Sequence, residues 1–242
     1  MARFFAHLPR RILLLVMFAG CALIASASLV YFDWDTLPPF AIEKLPVRFE
    51  TLWLVSLRLH VAVALFTFPA CLSLATRTLR RRRTVHRWLG RVTAVLVLFG
   101  LVPSGVVLSF DAKGGLFVTL GFLLSAAIVS GSLVVGIRAA RRGELVAHRR
   151  AMQHVLAQMS VAVTSRAMLV LLDRAALDPD LAYVVALWLP VLGSAAAIEL
   201  ISRRASPGRP WLSFIERIRR AVYSLTHMRA RGVHSPVARL GR

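Results

Sequence analysis

Between Ile12 and Ile201 the sequence repeats one pattern six times: an apolar run of about the 20 residues that a helix needs to cross ~30 Å of hydrocarbon, then a short charged connection. A chain built this way is a membrane protein before any motif is read. Hydrocarbon offers no water to backbone N–H and C=O groups, so each run must form a helix or join a closed barrel. Runs of this length select helices. The expected fold class is all-α, a polytopic bundle with spans at about 12–31, 52–75, 88–109, 115–137, 149–172 and 181–201. Composition agrees: 57% of residues are hydrophobic and mean hydropathy is +0.68, more apolar than a soluble domain of 242 residues.

Charge orients the bundle. The formal net charge is +20, and Lys44 and Lys113 are the only lysines among 31 basic residues, which leaves 29 arginines. Arg3, Arg10 and Arg11 precede the first run, seven arginines from Arg77 to Arg91 follow the second, and Arg138, Arg141, Arg142, Arg149 and Arg150 follow the fourth. Ten more lie between Arg203 and Arg242. The alternate connections carry Asp33, Asp35, Glu43, Glu50, Asp111, Asp173, Asp178 and Asp180. Cytoplasmic loops retain positive charge, so both termini are expected inside, in the inner membrane. Arginines distributed in this way serve topology and anionic headgroups, and no nucleic-acid partner is expected.

Two ends of the chain need separate readings. Arg10 and Arg11, the apolar core from Ile12 to Ile24 and "ASAS" at 25–28 also fit a signal peptide cleaved near residue 27, although the run continues to Phe32 and is long enough to span. Residues 202–242 form a basic tail. Within it Trp211, Ile215, Ile218, Val222 and Leu225 recur at helical spacing, which predicts an amphipathic helix over about 211–226 resting on the inner leaflet. Residues 1–201 are then the membrane bundle.

Cys21 and Cys71 fall inside spans, with no spacing that suggests metal ligation, and read as packing residues. Nucleotide-binding, metalloprotease and serine-hydrolase motifs are absent from the sequence. Candidate function therefore rests on ionisable groups at membrane depth, which are costly and usually face a bundle interior. Ser56, His60, Ala64, Thr67 and Cys71 share one face of the second helix, with Arg58 nearly opposite. His86, Gly90, Thr93, Val97, Gly100 and Ser104 share a face of the third. Such a stripe of small residues admits a neighbouring helix, for which Gly121, Ser125, Ser132 and Gly136 of the fourth are the matching surface, or a flat cofactor below an axial histidine. The fifth helix is the most polar, with His148 and Arg166 on one side and His154, Gln158 and Ser165 about a quarter turn away. It is expected to be enclosed by the other five.

"HRWLGR" at 86–91 and "RRGELVAHRRAM" at 141–152 carry a resemblance to an uncharacterised family of predicted bacterial multi-pass membrane proteins, a domain-of-unknown-function family. The resemblance covers about 52–201 and rests on His60, on H-R-x-x-G-R (His86, Arg87, Gly90, Arg91) and on G-[DE]-x-x-x-H-R-x-x-M (Gly143, Glu144, His148, Arg149, Met152). It implies location and topology and no reaction. Ala151 and His154 stand where the family usually has an aromatic residue and an arginine, so His154 is peculiar to this chain.

Two function classes follow. In the redox reading His86 and His148 lie at one depth near the cytoplasmic face and are the axial ligands of a haem b, Arg87 and Arg149 pair with its propionates, and His60 serves a second site. That constellation is loosely similar, in architecture only, to transmembrane cytochrome b and ferric-reductase-like proteins. In the non-redox reading His60, Gln158 and Arg166 surround a small polar cavity that binds or conducts a ligand, ion or lipid. A structural membrane subunit, its inner arginines paired with Glu144 and Glu199, is the third. Catalytic residues and oligomeric state are not legible.

Overall fold

A computed structural model of the chain describes residues 8–33 and 39–205. Six long helices organise it: α1 (Leu8–Ser28, prolonged by a tighter turn at Leu29–Phe32), α2 (Glu50–Leu74), α3 (Arg83–Ser109), α4 (Gly115–Arg141), α5 (Leu145–Arg174) and α6 (Pro179–Ala205). Short helices at Pro39–Lys44 and Arg77–Arg81 sit in the connections, and the described residues contain no strand. All six long helices are long and apolar enough to cross a membrane, so the expected all-α bundle of six spans is the architecture observed. The helices outrun the apolar stretches: α3 begins at Arg83 rather than 88, and α4 continues to Arg141 rather than 137. Hydropathy marks where lipid ends, whereas arginine is a good helix former and lets the turn continue into the headgroups.

Glycines in left-handed backbone reverse the chain at two of the short connections, and Ala176 (φ +53°) does so between α5 and α6. Gly114 and Gly115 (φ +89° and +66°) join α3 to α4, and Gly143 (φ +75°) joins α4 to α5. The chain thus brings every arginine-rich connection to one end of the bundle and the acidic ones to the other. At the acidic end backbone carbonyls accept from the few cations there: Arg58 donates to Tyr31 and Asp33 at 3.3 and 3.4 Å, and Lys44 Nζ donates to Asp111 at 2.7 Å. Arg58 is a structural tie between α1 and α2.

One core cluster draws on α1 to α5, with Cys21, Phe68, Leu72, Val97, Leu133 and Val155 among its buried members. Cys21 and Cys71 are free thiols packed within it. A second cluster joins Val118 of α4 and Val161 of α5 to Leu187 and Val191 of α6. Many large apolar side chains face outward, including Leu15, Leu23, Phe99 and Leu116, as a lipid-embedded surface requires. Residues Met1–Ile198 form one compact unit and Glu199–Arg242 another, which is described only as far as Ala205. The amphipathic helix expected over 211–226 lies outside the described residues.

The small-residue stripes do not meet each other as the sequence suggested. The stripe of α3 packs on α2: a Cβ built on Gly100 would lie 3.0 Å from Val63 Cγ2. That of α4 is covered by α5 and α6, with Leu187 Cδ2 2.7 Å from a Cβ built on Gly121 and Ser125 bonded to Gln158. Similar stripes carry no address, and the tight reversal at Gly143 commits α4 to α5. In α3 a wide π turn at Val97–Leu101 interrupts the helix just before Pro103. Proline cannot donate to the carbonyl one turn back and its ring crowds that turn.

Gln158 holds α4, α5 and α6 together. Its Oε1 accepts from Ser125 Oγ at 2.9 Å, and its Nε2 donates to the Val191 carbonyl at 3.0 Å and to Ser194 Oγ at 3.2 Å. Gln158→Leu should lower stability by about 0.5–2 kcal/mol, the span of interhelical hydrogen bonds in membranes. Gly100→Val should cost ~1–3 kcal/mol by overpacking against Val63, and Gly90→Ala, which meets no neighbour within 4 Å, should cost nothing. Unfolding of the purified variants in mixed detergent micelles measures all three.

Candidate functional site

His148 is positioned by the tightest hairpin in the bundle. Gly143 takes the left-handed conformation that ends α4, Glu144 opens α5, and His148 follows one turn later. Its Nδ1 lies 2.9 Å from the carbonyl oxygen of Gly136. A carbonyl can only accept, so Nδ1 carries the proton and Nε2 keeps its lone pair. Gly136 is also the floor on which Met152 and Ala151 rest: a Cβ there would overlap the Met152 methyl and lie 3.2 Å from Ala151 Cβ. Gly143, His148 and Met152, three positions of the second motif, are therefore explained by the α4–α5 contact, two of them by one residue outside the motif.

His86 stands in the first turn of α3, half-buried, with His148 and Arg80 within electrostatic reach. Its Nδ1 is buried and has no hydrogen-bond partner among the described residues. α5 packs against α1, α2 and α4 and is bonded to α6 through Gln158, but α3 is not among the helices packed closely on it. The expected enclosure of α5 is partial, since Arg166, Ala167, Val170 and Leu171 face outward. The two histidines belong to helices that are not packed closely on each other.

One turn above His86, Gly90 differs from the other glycines of α3. A Cβ on Gly90 would meet nothing within 4 Å, whereas Gly100 lies against Val63 and Gly105 against the ring of His60. Thr93, three residues on, is 4% exposed, yet its Oγ1 has no partner among the described residues. A buried threonine hydroxyl ordinarily bonds the carbonyl one turn back, as Thr67 does to Val63 at 2.8 Å. The stripe on α3 is thus packed towards the acidic end and open towards the basic end. Arg87, Arg91 and Arg149, neighbours of the two histidines, are exposed.

The remaining candidates divide. His60 Nδ1 lies 3.1 Å from the Leu101 carbonyl and 3.2 Å from Ser104 Oγ, at the π turn of α3. Arg166, exposed on α5, donates through Nη1 to the Ala162 carbonyl of its own helix at 2.8 Å, and its charge reaches His60. Gln158 is bonded to Ser125, Val191 and Ser194 instead. His86 thus lies within electrostatic reach of His148, and His60 within that of Arg166, while Gln158 is tied into packing. His154 is buried on α5 at 7% exposure, one turn before Gln158.

Sequence reasoning missed Gly136, the Leu101 carbonyl and the orphaned Thr93 hydroxyl. A signal existed for Gly136: it and His148 are equidistant from Arg142, as partners across an antiparallel hairpin must be. None existed for the Leu101 carbonyl, which is exposed to His60 by a backbone distortion.

No curated protein and no solved structure matches the chain. A family model described as predicted membrane protein matches residues 57–202, which take in the greater part of α2, all of α3 to α5, both motifs and His60. The chain belongs to that family, the predicted membrane proteins of DUF2306.

Proposed function

We propose that this protein is an electron-transfer protein of the bacterial inner membrane that holds one haem b between His86 and His148. The observation that carries the reading is the buried, unpartnered Nδ1 of His86 one turn from the open face at Gly90, with His148 within electrostatic reach. The residues fit the group. His148 has its tautomer fixed by Gly136 and offers a bare Nε2, the arrangement in which a second-shell carbonyl orients a ligating imidazole. His86 has a buried nitrogen that the described residues leave without a partner. A glycine lets a flat ring system approach the backbone, and the buried Thr93 hydroxyl, three residues on, has no partner among the described residues. Arg87 and Arg149 are placed on the same turns as the two histidines, exposed, and able to pair with carboxylates.

Held by His86 and His148, haem would supply one-electron chemistry. The chain's own contribution would be to orient the His148 ring through the Gly136 carbonyl and to offer Arg87 and Arg149 to the acid side chains of the cofactor. By the positive-inside rule this end faces the cytoplasm, with both termini inside and the basic tail against anionic headgroups.

A second reading has one observation in its favour: the His148–Gly136–Met152 contact stabilises the hairpin without any cofactor. The two separate in a spectrum. Protein purified in detergent from haem-sufficient cells should show a Soret band that shifts on reduction. His86→Ala and His148→Ala should each abolish or shift it, and His154→Ala should leave it unchanged. Gly90→Phe should fold, since its side chain enters open space, and lose the band. A folded wild-type protein without a Soret band overturns the haem proposal and leaves the hairpin lock.

A further inference from the structure

The first motif, H-R-x-x-G-R, is split between two faces of α3. At ~100° per residue His86, Gly90 and Thr93 share the inner side, and Arg87 and Arg91 each lie one step round from His86 and Gly90. Burial follows the split. Thr93 is buried and His86 and Gly90 are partly so, whereas Arg87 and Arg91 are exposed together with Trp88, Val95 and Phe99. The haem reading draws on the inner side and leaves Arg91 without a role.

Arg91 is also the deepest arginine among the described residues at the arginine-rich end. Measured from Ser109, where α3 ends, it lies about 27 Å along the axis at ~1.5 Å per residue, within the ~30 Å thickness of hydrocarbon. Arg87 lies at about 33 Å, and Arg138 of α4 and Arg149 of α5 at about 35 and 38 Å from the acidic ends of their own helices. Neither Arg87 nor Arg91 has a hydrogen bond or ion pair to a described residue. Two guanidiniums one turn apart repel each other, and more strongly as the dielectric falls towards the membrane interior. An anion held between them turns that repulsion into attraction, and a phosphate fits the guanidinium fork.

The same row continues towards the membrane centre in four-residue steps with Val95 and Phe99, 56% and 76% exposed. Trp88, 64% exposed beside Arg91, is the amphipathic ring that belongs at the headgroup boundary. From the helix end inward the row therefore presents two cations and then two bare apolar side chains, which is the order of phosphate and acyl chain in a phospholipid. We infer that Arg87, Arg91, Val95 and Phe99 on the outer face of α3 dock one anionic phospholipid of the leaflet at the arginine-rich end, its phosphate between the guanidiniums and a chain along Val95 and Phe99. A zwitterionic lipid would bring its own ammonium to the same place and is the poorer match. The site contains no haem ligand, and Arg91, on which its test turns, has no part in the haem reading.

Thermal unfolding of the full chain in non-ionic detergent tests the site, with dioleoylphosphatidylglycerol, dioleoylphosphatidylcholine and inorganic phosphate as probes. Phosphatidylglycerol should raise the midpoint, and the other two should not. Arg91→Gln should need about tenfold more phosphatidylglycerol for half of the rise, the loss of a charge-assisted hydrogen bond. Without lipid it should unfold no earlier than the wild type, since one of two repelling charges has gone. Arg91→Lys, which keeps the charge without the fork, should fall between the two. Arg138→Gln, which removes an equal charge from an exposed position on α4, should respond as the wild type does. Absence of a rise with phosphatidylglycerol, an equal rise with phosphatidylcholine or inorganic phosphate, an undiminished response in Arg91→Gln, or an equal loss in Arg138→Gln would overturn the site. Because the readout is unfolding and not absorbance, each of these outcomes leaves the haem reading to its own test.

Discussion

Hydrocarbon supplies no hydrogen bonds, and everything else in this structure follows from that constraint. Six segments must satisfy their own backbones and so become helices. Once they have done so, side chains reach the backbone mainly where helices distort or pack closely. The π turn before Pro103 and the close α4–α5 contact at Gly136 are such places, and each is where a histidine finds a carbonyl. His60 takes Leu101 and His148 takes Gly136. In both cases one ring nitrogen is tied and the other is left to chemistry.

The same constraint sorts the polar residues by depth and by company. Gln158 is a full participant in packing: each of its amide groups is engaged, and three helices depend on it. His86, Thr93 and Arg166 have polar atoms whose needs the described residues do not meet, which in a medium of low dielectric is expensive. Unmet need is a better guide to function here than polarity itself. It points to the basic end of the bundle, where the unpartnered atoms of His86 and Thr93 lie beside an open glycine. Belonging to a family of predicted membrane proteins adds location to this picture and leaves its chemistry to these residues.

Much was legible in the residues alone. Repeated apolar runs gave the number and class of elements, because lipid thickness translates directly into helix length. Helical arithmetic put His86, Gly90 and Thr93 on one face, and the motifs around His86 and His148 marked the pair that the fold brings into range. The partner of each helix was less legible. Gly121, Ser125 and Gly136 were read as facing α3 and instead serve α6 and α5, since a small-residue stripe is a surface without an address. The cavity expected among His60, Gln158 and Arg166 required three side chains to converge, and each is bonded to different neighbours instead.

The sequence by itself determined a six-span helical membrane protein, the segregation of its charges and the faces its histidines occupy, because hydropathy and the 100° helical step are local properties. Tertiary structure decided which faces meet: His148 on Gly136, His60 on the distorted turn of α3, Gln158 between three helices, and an open space at Gly90. Those outcomes depend on the rotation and close approach of whole helices. Van der Waals packing between small residues sets both, and it varies by tenths of an ångström that no single-chain periodicity records.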